Sequence, residues 1–375
     1  MADTFDISPE KEGGMNQFLC RQFCETPKAV RPDEVDLRGK TALVTGCNGG
    51  IGLECCRQLR SLGLSKLIMA VRDEAKGQRA MEDLAKTTQP PNSTMEVWKL
   101  DLSSYKSINQ LVERAKALGR LDFVILNAGI TRQHWVCDET TGHEENIQIN
   151  YLSMVLLTIQ LLPVLKSKIL SQGGPSRLVI VTSDAASWTP FPEQNENPLL
   201  PAFDKPGNVH MLHRYYTSKL LQQFFLQELT RRVPHSTAVI TATTPGLVHS
   251  TEMNRDLKGT ALGLVGRIAV RIVGYSPTVG AHQLVDAAVK HGDEIHGQYL
   301  CSQKPKPWVY FLLPKILALT NYILFAFSLA PIIYKPEGKL VADRLWRETM
   351  AELSFAGVEG IINQIGNTGK GGVSG

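Results

Sequence analysis

TGCNGGIG, residues 45–52, is the stretch on which the fold turns. Its glycines at 46, 50 and 52 stand where an apolar run, TALV (41–44), gives way to a stretch of helical character, GGIGLECCRQLRSLG (49–63). Glycine at a helix entry costs conformational entropy unless something must approach the backbone closely. A pyrophosphate does. Glycines let the turn tighten, bring phosphate oxygens onto backbone N–H groups at the positive end of a helix, and let that helix pack on its strand. The spacing is GxxxGxG instead of GxGxxG, and a structural loop also accommodates a Gly-rich turn. Its meaning therefore rests on what surrounds it.

Short Val/Ile/Leu-rich runs recur along the chain: TALVT (41–45), KLIMAV (66–71), MEVWKL (95–100), LDFVIL (121–126), RLVIVT (177–182) and TAVITAT (237–243). Each pair is separated by enough chain for a crossover helix, and continuous apolar runs suit strands covered on both faces. The pattern predicts an α/β fold with a doubly wound parallel sheet, the Rossmann fold, as a single domain over 38–305 with a C-terminal extension. Ligands then bind at the carboxyl ends of the strands. The 375 residues, 43% hydrophobic and 20% charged, suffice for one such core. A net charge of +4, with no Lys/Arg cluster interleaved with aromatics, gives no footprint for nucleic acid. Seven cysteines without a CxxC pair point to reduced thiols, and MADTFDISPEKEGG lacks an apolar leader core, so the expectation is a cytoplasmic protein. Residues 1–37 read as a polar, mobile lead-in.

The candidate functional residues follow the strands. Arg72 stands where an acidic residue would bond the ribose 2′-hydroxyl of NAD; a guanidinium there suits a 2′-phosphate, hence NADP(H), or else a solvated helix entry beside the helix-start residue Asp73. Asp101 either reaches an adenine edge or caps the next helix. Asn127, Ala128 and Gly129 leave room for a flat ligand, as a plain turn also would. Tyr215 and Lys219, four apart in RYYTSK, share one helical face, and an ammonium beside a phenol lowers its pKa, as a proton donor to a carbonyl requires. Moving a phenol from about 10 toward 7 is worth roughly 4 kcal/mol. Tyr216 is a rival, but its +4 residue is Leu220. The histidines at 134, 143, 210 and 213 lack metal spacing and no GxSxG elbow is present, so neither a metal nor a hydrolase nucleophile is assigned.

TGCNGGIG, LNAG (126–129), Ser183 in VTS, Tyr215-x-x-x-Lys219 and Pro245-Gly246 occur in the order and spacing of the short-chain dehydrogenase/reductase family. The chain resembles that family over about residues 38–300, and VRDEAKG together with the long gap from Ser183 to Tyr215 resembles its retinol dehydrogenase-like and fungal secondary-metabolism members. The resemblance implies Tyr215 as general acid or base, Lys219 as its partner and nicotinamide-ribose ligand, Ser183 on the substrate oxygen, and Asn150 in ENIQINYLS linking Lys219 to a water relay. It also implies cofactor contacts from Gly46, Asn48, Gly50, Ile51, Gly52, Arg72, Asp101, Asn127, Ala128, Tyr215, Lys219, Pro245, Gly246, Val248 and Ser250, with Thr251 as the alternative to Ser250. The function expected is NADP(H)-dependent interconversion of a carbonyl and an alcohol on a lipophilic small molecule in secondary-metabolite biosynthesis. The competing class is a non-catalytic dinucleotide-binding scaffold or sensor. Homo-oligomerisation is common in the family. The loop WTPFPEQNENPLLPAFDKPGNVHM (188–211) lengthens the path from Ser183 to Tyr215, so substrate contacts are not carried over.

The run WVYFLLPKILALTNYILFAFSLAPIIY (308–334), within an apolar insertion over 306–336, leaves three readings open: a membrane-seated helix, a cover for pocket or dimer, and a translated intron whose splice signals codon degeneracy permits. A helix is expected over 337–356, and a Gly-rich disordered tail over 357–375.

Overall fold

Strand β1 (Thr41–Thr45) is buried along its whole length, and it sits where the sheet changes direction. The computed structural model describes residues 15–87, 92–207, 209–249, 270–271, 273–306, 333 and 336–368. β1 pairs with β2 (Lys66–Val71) on one side and β4 (Phe123–Leu126) on the other; β3 (Thr94–Lys99), β5 (Ser176–Val181), β6 (Ala238–Thr243), β7 (Tyr299–Cys301) and β8 (Lys304–Lys306) complete the order 3-2-1-4-5-6-7-8. Neighbouring strands are parallel except β7 and β8, which form an antiparallel hairpin. After β3 the chain crosses back over β1 to lay down β4. The carboxyl ends of β1 and β4 therefore face connections that leave in opposite directions, which opens the crevice predicted for such sheets.

All six strands expected from sequence are present, β4 the most trimmed at its start. The hairpin β7–β8 was not anticipated. Its strands are three residues each, too short for a periodicity to register.

Helices α2 (Gly50–Ser61) and α8 (Pro277–Val289) cover one face, where Cys55, Leu59, Ala281 and Leu284 meet the sheet. On the other face lie α4 (Tyr105–Lys116), α5 (Glu145–Gln172) and α7 (Met211–Thr230), with Leu156, Leu161, Leu221 and Phe224 in one cluster. Helix α3 (Glu74–Thr87) backs β2 and β3. α5 is long and apolar enough to cross a membrane, but 89% of its apolar window is buried inside the protein, which makes it the core helix of the fold. Apart from Ile333, the run 308–334 lies outside the described residues.

Both chain ends depart from expectation. Within the stretch predicted to be a mobile lead-in, Met15–Cys24 form helix α1, with Phe18, Arg21 and Gln22 buried at i, i+3 and i+4. Within the predicted disordered tail, Val358–Thr368 form α10, burying Val358, Ile362 and Ile365 at i, i+4 and i+7. In α10 an apolar stripe at helical spacing outweighs the flanking glycines, whereas α1 buries one aromatic ring together with two polar side chains on the same face.

The long path from Ser183 to Tyr215 is folded. It includes α6 (Leu200–Phe203), whose entry N–H groups, Leu199 N (2.9 Å) and Leu200 N (2.7 Å), donate to the Glu348 carboxylate of α9 (Pro336–Glu352). Arg344 of α9 donates to the carbonyls of Gln194 and Glu196. Beside this clamp, His143 Nδ1 lies 2.9 Å from Asp204 and its Nε2 3.1 Å from Glu352. Burial alone would push this imidazole down, but the two carboxylates override it and hold it up at about 9. A folded-state value above the unfolded one stabilises fully below about pH 6.5 and is lost as pH rises through about 9. His143→Gln is expected to lower the melting temperature at pH 6.5 by about 3 °C, with the difference from wild type vanishing near pH 9; parallel thermal melts across this range check it.

Candidate active site

The glycine turn after β1 is held against the end of β4. Gly46 has φ +66°, and a Cβ there would lie 2.8 Å from Ala128 Cα. Asn127 Nδ2 donates to the carbonyls of Thr45 (3.0 Å) and Gly46 (3.1 Å), and Ala128 N donates to Thr45 Oγ1 (2.9 Å). Gly50 differs: its φ is +55°, and a Cβ there would meet nothing within 4 Å. Helix α2 begins at that residue with no side-chain cap and no acidic residue in its first turn. Its first N–H groups lack a partner from the chain's own side chains, an arrangement suited to an anion.

A cavity of ≈ 280 Å³ opens above this turn. Among the residues expected to bind cofactor, Gly46, Asn48, Gly50, Ile51, Gly52, Arg72, Asp101, Asn127 and Ala128 line it. Arg72 is exposed at one end beside Lys76. Asp73 accepts from Lys76 N (3.0 Å) and so acts as a helix cap. Asp101 does not cap the following helix: it binds Ser103 N (3.1 Å) and Oγ (2.8 Å), while Ser104 caps α4. At the cavity's inner part the Thr131 hydroxyl is buried with no hydrogen-bond partner. A bare helix start, two cations at one end and an unpaired buried hydroxyl fit a long, phosphate-bearing ligand. A second cavity of ≈ 330 Å³, lined by Lys40, Asp122 and Arg177, lies at the amino ends of the strands, across the sheet from these residues.

Asn150 and Lys219 adjoin the cavity at Gly129. A Cβ on Gly129 would stand 3.1 Å from Asn150 Oδ1 and 3.6 Å from Lys219 Nζ. Tyr215 and Lys219 project from one face of α7 and are 6% and 5% exposed. The ammonium lies 5.9 Å from the Tyr215 ring centre and donates to Val181 O (3.0 Å). Burial pushes Lys219 down to about 8. Burial also pushes the Tyr215 phenol up to about 12, against a hydrogen bond with Ser183 that draws it down. This corrects the expectation that Lys219 brings the phenol toward neutrality: its charge is directed at a backbone carbonyl, and desolvation dominates.

Asn150 occupies a π-helical turn, Gln148–Leu152, within α5. Its side chain bonds both ways with the Ile130 backbone, accepting from N (2.8 Å) and donating to O (2.8 Å), and also donates to Ser218 Oγ (3.0 Å). Its own carbonyl accepts from Gln222 Nε2 (2.6 Å). Pro245, Gly246 and Val248 follow β6 but do not line the cavity; Gly246 (φ +72°) packs on the Tyr275 ring, and Val248 bridges to Tyr275. Ser250 and Thr251 lie outside the described residues.

Several neighbours were not anticipated. Asp184, next to Ser183, accepts from Tyr299 (2.8 Å), Thr244 (3.0 Å) and Arg21 (3.3 Å). Arg214, immediately before Tyr215, makes a buried pair with Glu193 at 2.8 Å and lies 4.9 Å over the Phe203 ring. Only Arg214 had a signal in sequence, a charge beside the tyrosine on an otherwise buried face.

The short chain dehydrogenase family profile matches residues 40–194. A short-chain dehydrogenase, fogG, of Aspergillus ruber is 42% identical over 369 residues, covering 97% of this chain and 99% of its own. The chain belongs to the short-chain dehydrogenase family. The short chain dehydrogenase/reductase mfmJ of Annulohypoxylon moriforme is 39% identical over 352 residues, 93% of this chain and 94% of its own. Among solved structures, NADPH-bound carbonyl reductase from chicken fatty liver shares the fold, with TM-score 0.52 and 23% identity over 72% of this chain and 100% of its own. As a short-chain dehydrogenase the protein is an oxidoreductase acting with a nicotinamide dinucleotide on a small molecule.

The two glycine environments predict different failures in this short-chain dehydrogenase. Gly46→Ala is expected to cost about 2–4 kcal/mol of stability, since its Cβ meets backbone. Gly50→Ala is expected to cost about 1 kcal/mol in stability but to weaken dinucleotide binding about tenfold or more. Denaturant melts and fluorescence titration separate the two.

Proposed function

We propose that the protein is an NADP(H)-dependent, cytoplasmic reductase or dehydrogenase that interconverts a carbonyl and an alcohol on a lipophilic small molecule, in secondary-metabolite biosynthesis. The supporting observation is a buried phenol bonded to Ser183, one helical turn from Lys219, whose ammonium adjoins the glycine-lined cavity at Gly129. A dinucleotide-binding scaffold has no use for that arrangement. Arg72 and Lys76 at the outer end favour a 2′-phosphate, and the fungal relatives carry the biosynthetic context.

Gly46, Asn48, Gly50, Ile51 and Gly52 would hold the pyrophosphate, Asp101, Asn127 and Ala128 the adenosine side, and Lys219 the nicotinamide ribose. When bound, the nicotinamide exchanges two electrons with the substrate carbon and, in its oxidised form, adds a positive charge near the phenol. Ser183 orients the substrate oxygen and Tyr215 at once. With its phenol held near 12, Tyr215 keeps its proton at neutral pH and donates it to the oxygen during reduction. Lys219, fixed by Val181, holds position to resupply that proton. Asn150 sets the distance between α5 and the loop after β4 at Ile130, while its carbonyl, turned toward α7, receives Gln222 and has a second lone pair for a relay water. Pro245, Gly246 and Val248, which follow β6 outside the cavity lining, and Ser250 would contact the nicotinamide side of the cofactor.

Tyr215→Phe is expected to lower kcat by about 10²–10⁴-fold while leaving NADPH affinity unchanged; wild-type turnover in that variant would remove the assignment. In thermal-shift titrations NADPH should stabilise more than NADH, and Arg72→Ala should erase the difference. Stabilisation by NADH alone would overturn the cofactor reading.

A further inference from the structure

Helix α1 lies outside the 40–194 match and outside every motif considered above, yet its polar face is bound to the segments that surround Tyr215. Gln22 Nε2 donates to the carbonyls of Leu247 (3.1 Å) and Val273 (3.1 Å), and its Oε1 accepts from Leu247 N (3.1 Å). Arg21 pairs at 3.3 Å with Asp184, the residue after Ser183. From the other side the Tyr275 phenol donates to Arg21 O (2.8 Å). Arg21 and Gln22 are only 5% and 6% exposed. Burying a guanidinium and an amide is costly unless each is bonded, so α1 is fixed to loops on both sides of the site.

What this docking places is Phe18, one turn earlier on the same face. Its ring meets Trp188 edge to face, with centroids 4.8 Å apart at 87°. Trp188 in turn meets Tyr216 at 6.0 Å and 83°, and Tyr216 adjoins the Tyr215 ring at 6.0 Å. The three contributing segments are far apart in sequence: α1, the turn after Ser183, and the start of α7. Trp188 and Tyr216 are half-buried, so the row keeps surface to offer. Its neighbour His213 is pushed toward the neutral form by burial, which keeps the row uncharged.

We propose that α1 is a specificity element of the active site: Phe18 completes an aromatic wall, Phe18–Trp188–Tyr216, that runs outward from Tyr215 and receives the flat ring of an aromatic carbonyl compound. The proposal rests on the reading of Tyr215 as the group that meets the carbonyl oxygen. Aromatic edges and faces favour a planar π ligand over a saturated ring of the same size by more than the area covered. A sugar or a purely aliphatic chain would forgo that gain.

The test compares 1-tetralone with 1-decalone, a fused bicyclic ketone of like size without the aromatic ring. Binding to full-length protein with NADPH present is measured by calorimetry, and NADPH oxidation is followed separately. Wild type is expected to bind 1-tetralone about tenfold more tightly, and Phe18→Ala to bring the two ketones within about threefold of each other. Phe18→Leu, which keeps apolar bulk and so the docking of α1, should lose the preference with melting temperature and NADPH affinity unchanged. Equal binding of the two ketones by wild type, no binding of 1-tetralone, or a preference that survives in both variants would overturn the proposal. Turnover without selectivity would remove the wall and leave the reaction standing. Selective binding by a protein that turns over neither ketone would support the wall and count against the reaction.

Discussion

The contact between Gly46 and Ala128 governs the rest of the molecule. No side chain fits between the turn after β1 and the end of β4, so the two strand ends close on each other at the point where the sheet reverses direction. Asn127 completes the closure by filling the carbonyls of Thr45 and Gly46. The N–H groups at the start of α2 are then left to the cavity, and a binding surface arises from backbone that the strands cannot use. Gly129, two residues beyond Asn127, extends the same small-residue edge to Lys219 and Asn150. One row of residues at the end of β4 thus joins the glycine turn to Lys219 and Asn150.

Burial sets the chemistry at that junction. Desolvation moves Tyr215 up to about 12 and Lys219 down to about 8, so at neutral pH the phenol keeps its proton beside a lysine that burial has brought closer to losing its own. The phenol thereby keeps its proton across the neutral range. Its release has to be coupled to charge arriving nearby, and the polar groups around it are already fixed by the fold: Lys219 by Val181, Asn150 by Ile130 and Ser218, Asp184 by Thr244, Tyr299 and Arg21. Little reorganisation is then needed when a substrate oxygen enters.

Sequence alone makes the sheet and the glycine turn legible because both depend on local pattern: Val/Ile/Leu runs of strand length and glycines at a strand-to-helix junction. Tyr215 and Lys219 are legible through helical spacing. What was missed depends on contacts between distant segments. Gln222 bears on Asn150 only because a π turn exposes that carbonyl, and Arg214 is paired only because a residue 21 positions away folds back onto it. The stripe of Phe18, Arg21 and Gln22 was present in the sequence, but two of its three members are polar, so it does not read as a core-facing stripe. The phenol's upward shift had no local signal either, since it comes from burial by the whole fold.

The segment between Ser183 and Tyr215 shows how a long loop is held in place beside these residues. Such a loop would loosen the very residues it connects unless its backbone groups found partners. Here they find them in the last helices: Glu348 accepts both N–H groups at the entry to α6, Arg344 takes two loop carbonyls, and Glu352 shares His143 with Asp204. Arg214 then carries the restraint to the residue beside Tyr215 through Glu193 and Phe203. The inserted loop and the C-terminal helix are therefore one device, since removing α9 would strip the loop of its caps. With α1 fixed by Arg21 and Gln22 to Asp184 and to the segment after β6, the loop before Tyr215 is restrained by helices from both early and late in the chain.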